Sequence, residues 1–309
     1  MNNVKRPTGA FIGVLAFSVV LYLVMMALQP KLMNNSLIPD YNSIMDGTAH
    51  GNPLSWILWF FGDMTEANYH KTYLGGIGLV IGSLIAHYFY TKNSKHQGIA
   101  IAYGSGLWLW VLGASSLSLA LSNIVYGWNL VDSGWFPTFV VFVSVPAATI
   151  LTYGGGWKNL ITSAIAAVII VVPLSRFVMV YVAAPIGLPS VVGSVFGMWF
   201  GGAICFEIYK SVQWMQLPAP PEPADVPDAP PVESEPEFKH LHPSNFFIRR
   251  LIADFSEPCF AGNEIAGAGL LIGTVLSWLL CPLSAVYGAT CLPTLLMAEF
   301  ITGAVSIYV

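Results

Sequence analysis

Eight stretches of this chain are apolar for close to the ~20 residues that a helix needs to cross a lipid hydrocarbon core: 10–29, 71–91, 98–122, 136–153, 159–183, 190–211, 264–282 and 285–309. Within lipid the backbone has to satisfy its own polar groups, and a helix does so segment by segment. The expected fold is therefore all-α, a polytopic transmembrane helical bundle of about eight spans. A further apolar stretch, Leu54 to Phe61, is too short to cross and reads as a re-entrant or interfacial piece. Composition agrees: only 9% of residues are charged, against roughly 25% in soluble proteins. So few charges cannot cover a water-facing surface, so the first partner is the bilayer.

The other compositional signals narrow the class. Net charge is −4 and the 12 Lys and Arg residues are scattered, which argues against a nucleic-acid partner. Trp56, Trp59, Tyr88, Tyr90, Trp128, Trp135 and Trp214 lie near the ends of apolar runs, where interfacial belts form. The run from Ala10 to Leu28 is too long for a signal-peptide core and lacks a small-x-small cleavage site, so it reads as an uncleaved first span. None of the four cysteines forms a CxxC pair, so no zinc or haem site is indicated. Cys281 and Cys291 are spaced to pair across a short loop, although two small buried apolar residues is the plainer reading. No P-loop, HExxH, GxSxG or Rossmann glycine pattern is present, so neither an enzyme nor a bound cofactor is expected, and ATP-driven transport by this chain alone is not supported.

Basic residues set the expected orientation. Lys5, Arg6, Lys92, Lys95, His96, Lys158, Lys210, Lys239, Arg249 and Arg250 all fall on one side if the N-terminus is cytoplasmic and eight spans alternate; Lys31 and Lys71 dissent. From Leu217 to Glu237 the chain holds eight prolines and six acids. Such a segment buries nothing and stays extended or disordered. It is expected to be a cytoplasmic linker, 217–246.

The most specific signal is an internal repeat. Shifted by 191 residues, Asp63–Gly82 aligns without gaps on Asp254–Gly273, with seven of twenty positions identical. The shared residues are Asp63/Asp254, Glu66/Glu257, Gly76/Gly267, Gly78/Gly269, Leu79/Leu270, Ile81/Ile272 and Gly82/Gly273. Apolar helices resemble one another by chance, but two acids kept at one spacing ahead of the same glycine pattern do not arise so easily. Five spans separate the two starts, so the copies enter the membrane from opposite faces, as in the inverted-topology repeats of many secondary transporters. The expected units are 1–185 as a first transmembrane repeat, 186–216 as the first helix of the second, the 217–246 linker, and 247–309 as the remainder of the second. By that count the second half lacks two helices, and the expectation is a longer protein of about ten spans.

Several residues are candidates for chemistry. Asp63, Glu66, Asp254 and Glu257 form Asp-x-x-Glu pairs ahead of apolar runs. They read either as helix capping boxes that satisfy orphan amides or as ligands for a cation, a proton or a polar solute. Gly76, Gly78, Gly82 and Gly267, Gly269, Gly273 place small residues on one face and read as close helix packing near a pathway. Glu299, ~21 Å along a helix that starts near Ala285 at 1.5 Å per residue, is an intramembrane carboxylate. It is therefore a candidate coupling residue, whose aligned position in the first copy lies near Ser115. Asn68 and Asn263 are polar at the repeat starts and join the expected site. His70, Lys71 and Glu264 lie there too and read more readily as interfacial. Arg176, after Pro173, reads as snorkelling to the outer interface, and Glu207 and Lys210 as a helix-surface pair.

The function expected from these residues is a secondary active transporter, a permease of a bacterial-type inner membrane. It would move a small polar or anionic solute by symport or a related coupling to protons or sodium, without metal. An uncoupled channel of the same symmetry, or a membrane subunit of a larger complex, are the alternatives. A glycine- or aromatic-rich face would suit a homodimer.

Overall fold

The computed structural model describes residues 7–217 and 242–309. Lys5, Arg6, Lys239 and most of the proline-rich linker lie outside the described residues. The described chain is built from α1 (Thr8–Leu32), α2 (Tyr41–Ala49), α3 (Pro53–Asp63), α4 (Tyr73–Thr91), α5 (Trp108–Tyr126), α6 (Leu130–Ser133) and α7 (Val145–Tyr153), followed by α8 (Trp157–Val178), α9 (Val191–Tyr209), α10 (Pro243–Asp254), α11 (Glu264–Leu280) and α12 (Cys291–Tyr308). Among the described residues there is no strand. Six helical segments are long and apolar enough to cross a membrane: Thr8–Leu32, Tyr73–Thr91, Trp108–Ser133, Trp157–Ile186, Val191–Tyr209 and Cys291–Tyr308. Thr138–Tyr153 and Glu264–Leu280 are apolar but shorter. The outward faces are apolar, with Ile12, Phe17 and Leu23 of α1 and Ile165 and Ile169 of α8 exposed. Such a surface belongs in lipid, and the chain is an all-helical, multi-pass membrane protein.

The repeated segments fold alike. Leu54–Phe61, the apolar stretch too short to cross, is the body of α3. It starts on Pro53 with Asn52 accepting from the amides of Leu54 and Ser55 at 2.9 and 3.2 Å, a standard helix opening. Its counterpart α10 also begins on a proline, Pro243, inside the range expected for the linker. Each short helix ends on the repeated aspartate, makes a 3-10 turn (Glu66–Asn68 and Glu257–Cys259), and reverses into α4 or α11. The turns match bond for bond. Thr65 Oγ1 donates to the carbonyls of Gly62 and Thr72 and accepts from the Thr72 amide. Ser256 Oγ does the same with Ala253 and Asn263. Tyr69 and Phe260, at the same offset, both adopt left-handed backbone, with φ of 60° and 58°. An aromatic residue is costly there.

The glycines explain how these hairpins meet. A Cβ at Gly76 would strike the carbonyl of Phe61, and one at Gly267 the carbonyl of Ile252, so each glycine lets its short helix lie on the long one. Between the hairpins, Gly78 faces Gly269, Gly82 faces Ile265 and Gly273 faces Leu74. As α4 ascends its partner descends, so α4 and α11 cross antiparallel, in the most extensive helix interface of the fold. The close-packing reading of Gly78, Gly82, Gly269 and Gly273 is what the structure shows. The two tips also touch: Asn68 Nδ2 donates to the Phe255 carbonyl at 3.2 Å, and Cys259 Sγ to that of Met64 at 3.2 Å. The remaining helices flank this pair, α1 against α12 and α8 against α9.

Three expectations need correcting. Asp63 and Asp254 do not cap the helices that follow; they close α3 and α10, because the short apolar stretch before each acid is itself helical. The span expected at 98–122 starts at Trp108: the residues before it leave the helix, with Ala102 and Tyr103 left-handed, and the Ala102 amide donates to the Ala261 carbonyl at 2.9 Å. The final helix starts at Cys291, which puts Glu299 ~12 Å along α12 at 1.5 Å per residue, midway rather than ~21 Å in. Cys281 and Cys291 are both free thiols.

Because backbone meets backbone at the crossing, Gly78→Leu or Gly269→Leu should destabilise the protein by at least ~1–3 kcal/mol, the usual cost of overpacking. Gly13→Leu in α1, where a Cβ meets nothing, should stay within about 0.5 kcal/mol. Thermal unfolding in detergent separates the two; equal losses would mean the crossing is not glycine-dependent.

Candidate functional site

The acidic tip of the first hairpin is buried. The Lys71 ammonium is paired with Asp63 Oδ1 and lies 3.4 Å from Glu66 Oε2, with all three side chains at most 2% exposed. Its Nζ sits 4.0 Å from the centroid of the Trp59 ring, a cation–π contact. Thr138 Oγ1 donates to Asp63 Oδ2 at 2.7 Å. Tyr287 OH and Trp135 Nε1 both donate to Glu66 Oε1, at 2.9 and 3.3 Å. Glu66 Oε2 receives no hydrogen bond. Two carboxylates thus share one ammonium, and the cluster carries one unbalanced negative charge when both acids are ionised. Asp63 also closes α3, where the helix dipole is already negative, so the local need for a cation is doubled.

The second hairpin solves the same problem differently. Arg250 Nη1 contacts Asp254 Oδ1 and Glu257 Oε1, both at 2.6 Å, and these side chains are 23–35% exposed. Each Asp-x-x-Glu pair therefore embraces one cation, but from non-equivalent places. The position matching Arg250 is Trp59, and the position matching Lys71 is Gly262. A third polar chain joins the halves. His70, fully buried, places Nε2 2.8 Å from Glu299 Oε2 and Nδ1 3.2 Å from Thr274 Oγ1, which lies 3.2 Å from Thr72 Oγ1.

Two cavities adjoin the Glu66–Tyr69 turn. One, of about 140 Å³, is lined by Glu66, Tyr69, Trp135, Phe139 and Tyr287 together with α9 residues such as Ser194. The other, of about 280 Å³, is lined by Asn68, Tyr69, Asp254, Phe255 and Glu299. Ala67 and Tyr69 line both, so the strained turn borders each of them. Neither lining includes a lysine or an arginine.

The sequence candidates divide accordingly. Asp63 and Glu66 come together in the dry cluster; Asn68, Asp254 and Glu299 line the second cavity; Glu257 stands on Arg250 beside it. Asn263 does not enter the site: its Oδ1 caps α11 and its Nδ2 donates to the carbonyls of Gln97 and Ile99. Glu264 is held by Arg249 at 2.6 Å and accepts from the Ile99 amide. Sequence reasoning placed His70, Lys71, Trp59 and Trp135 at interfaces, and all four instead serve the site; Tyr69, Thr138 and Tyr287 it missed. The repeat held the missed signal for His70 and Lys71, since their counterparts are Ala261 and Gly262. A charged residue that only one copy keeps has no packing reason to be there. Elsewhere, Glu207 and Lys210 pair at 2.5 Å on the surface, and Arg176 lies over the Phe136 ring at 5.2 Å.

Removing Lys71 leaves two buried carboxylates without a partner. Lys71→Met should therefore cost ~3–5 kcal/mol, and Asp63→Asn added to it should recover most of the loss. Unfolding of both variants in detergent checks this; a Lys71→Met protein as stable as the parent would rule out the buried pair.

No protein-family model, curated protein or solved structure matches this chain.

Proposed function

We propose that this chain is a secondary active transporter whose two hairpins are the cores of an inverted-topology repeat. In this reading α3 and α10 are half-helices that reach mid-membrane from opposite faces, as discontinuous helices do around transport sites. The matching turns and the antiparallel α4–α11 crossing support it. The observation that carries the function is the pair of acid-lined cavities that share one strained turn, Glu66–Tyr69, read here as the partition between them. Alternating access asks for a site reachable from either side but never both at once, and a single movable wall supplies it.

Coupling falls to the carboxylates. Intramembrane acids are expensive and are retained for ion or proton work. Glu299 and His70 form a hydrogen-bonded acid–base pair at the edge of the larger cavity, suited to carry a proton. An uncoupled facilitator would have no use for it. The solute is small and polar. An anion is disfavoured, because both cavities present carboxylates and no basic side chain to their contents. A bacterial-type inner membrane, with the N-terminus and linker cytoplasmic, remains the proposed setting. Lys158 supports one element of that orientation by lying near Trp214, 5.9 Å from its ring, which joins the start of α8 and the end of α9 on one side. Lys71, buried in the acid cluster, no longer counts as a dissenting loop charge.

The test is solute-driven proton movement in proteoliposomes carrying an internal pH dye, across a panel of small cations, zwitterions and anions. The wild type should move protons with one solute class, and Glu299→Gln should keep solute flux but lose its dependence on the proton gradient. Unchanged gradient dependence in Glu299→Gln would remove this residue from coupling, and gradient-independent flux in the wild type would favour the facilitator.

A further inference from the structure

We infer that the smaller cavity binds a small organic cation of the alkylammonium type, and that this cation and a proton compete for the charge of Glu66. The inference deepens the transporter reading by naming its cargo and the sense of exchange. Three observations carry it. The first is charge: Asp63 and Glu66 share only Lys71, which pairs closely with Asp63 and stands 3.4 Å from Glu66 Oε2, and of the two acids it is Glu66 that borders the cavity. The second is the wall: Tyr69, Trp135, Phe139 and Tyr287 surround that carboxyl, and aromatic faces attract cations that are too weakly hydrated to need water. The Tyr69 and Tyr287 rings pack against each other with centroids 6.0 Å apart, as do those of Trp135 and Phe139 at 6.4 Å, so the four rings form two packed pairs in the cavity wall. The third is size: about 140 Å³ holds four or five waters at ~30 Å³ each, or a cation of about as many heavy atoms.

The charge balance makes the exchange. With the cavity empty of cation, the second positive charge at the cluster is a proton on Glu66. When an ammonium enters, that proton leaves to solvent and the carboxylate–cation pair replaces the carboxylic acid. Occupancy by either, never both, is antiport. The titratable and charged groups facing Glu66 are Asp63 from α3, Lys71 and Tyr69 from the turn, Tyr41 from α2 and Tyr287 from the segment before α12. Of these only Lys71 is cationic, and Asp63 already claims it.

The experiment uses the full chain in lipid nanodiscs and tetramethylammonium chloride as the probe, followed by isothermal titration calorimetry in buffers of different ionisation enthalpy. The wild type should bind saturably and release about one proton per cation bound at pH values where the empty site is protonated, with affinity falling about tenfold per pH unit as pH is lowered, as a one-for-one exchange requires. Trp135→Ala should weaken binding at least tenfold, and Glu66→Gln should abolish it. Should Glu66→Gln fail to fold, the wild-type proton count and the Trp135→Ala loss still decide. No tetramethylammonium binding by folded wild type, or binding without proton release, overturns the inference. Failure here with proton-coupled flux of a neutral solute would leave the transporter reading standing. Binding with proton release but no flux in vesicles would keep the site and remove the transporter.

Discussion

One ammonium, Lys71, is shared by two carboxylates whose side chains, like its own, are at most 2% exposed, and much of the fold follows from keeping it there. A buried charge is tolerated only if its partners are fixed. Here α3 must end on Asp63, the 3-10 turn must bring back Glu66, and the chain must pass through left-handed Tyr69 and Lys71 (φ 60° and 42°) to return the ammonium. Trp135 and Thr138, from the stretch between α6 and α7, and Tyr287, from the segment before α12, then donate hydrogen bonds to the carboxylates. The glycine crossing of α4 and α11 makes this possible, since a side chain at Gly78 or Gly269 would hold the hairpins apart.

The two hairpins show which part of the arrangement is structural and which is functional. Backbone, turn hydrogen bonds, left-handed aromatic and acid pair recur at a fixed offset. What differs is the cation and its exposure: Lys71 from the turn is dry, whereas Arg250 from the helix body is 30% exposed. Both copies need a positive charge at an acidic helix end. Only the first combines it with an aromatic-walled cavity and a carboxyl oxygen left without a hydrogen bond.

Much of this architecture was legible in the sequence because lipid leaves few alternatives. The eight apolar runs correspond to helical segments, and the short stretch at Leu54–Phe61 forms the short helix α3. Boundaries failed where a tertiary partner outweighed hydropathy: 98–107 is apolar, yet it leaves the helix to bond the second hairpin. A carboxylate before an apolar run ordinarily begins a helix, whereas Asp63 and Asp254 are the last residues of short helices that precede the run. Trp59 and Trp135 read as belt residues because their position along the chain says nothing of the face they occupy. Asymmetry between the copies at His70/Ala261 and Lys71/Gly262 was visible, and it marked the site more sharply than the shared residues did.

On the proposed exchange, the buried cluster carries one exchangeable positive charge beyond Lys71. Infrared difference spectroscopy of the protein in lipid reads it most directly, through the carbonyl stretch of a protonated carboxyl. A single buried band should be present in the wild type without cation, absent in Glu66→Gln, and bleached when tetramethylammonium is added. A spectrum with no protonated carboxyl assignable to Glu66, at any pH where the protein stays folded, would contradict the claim.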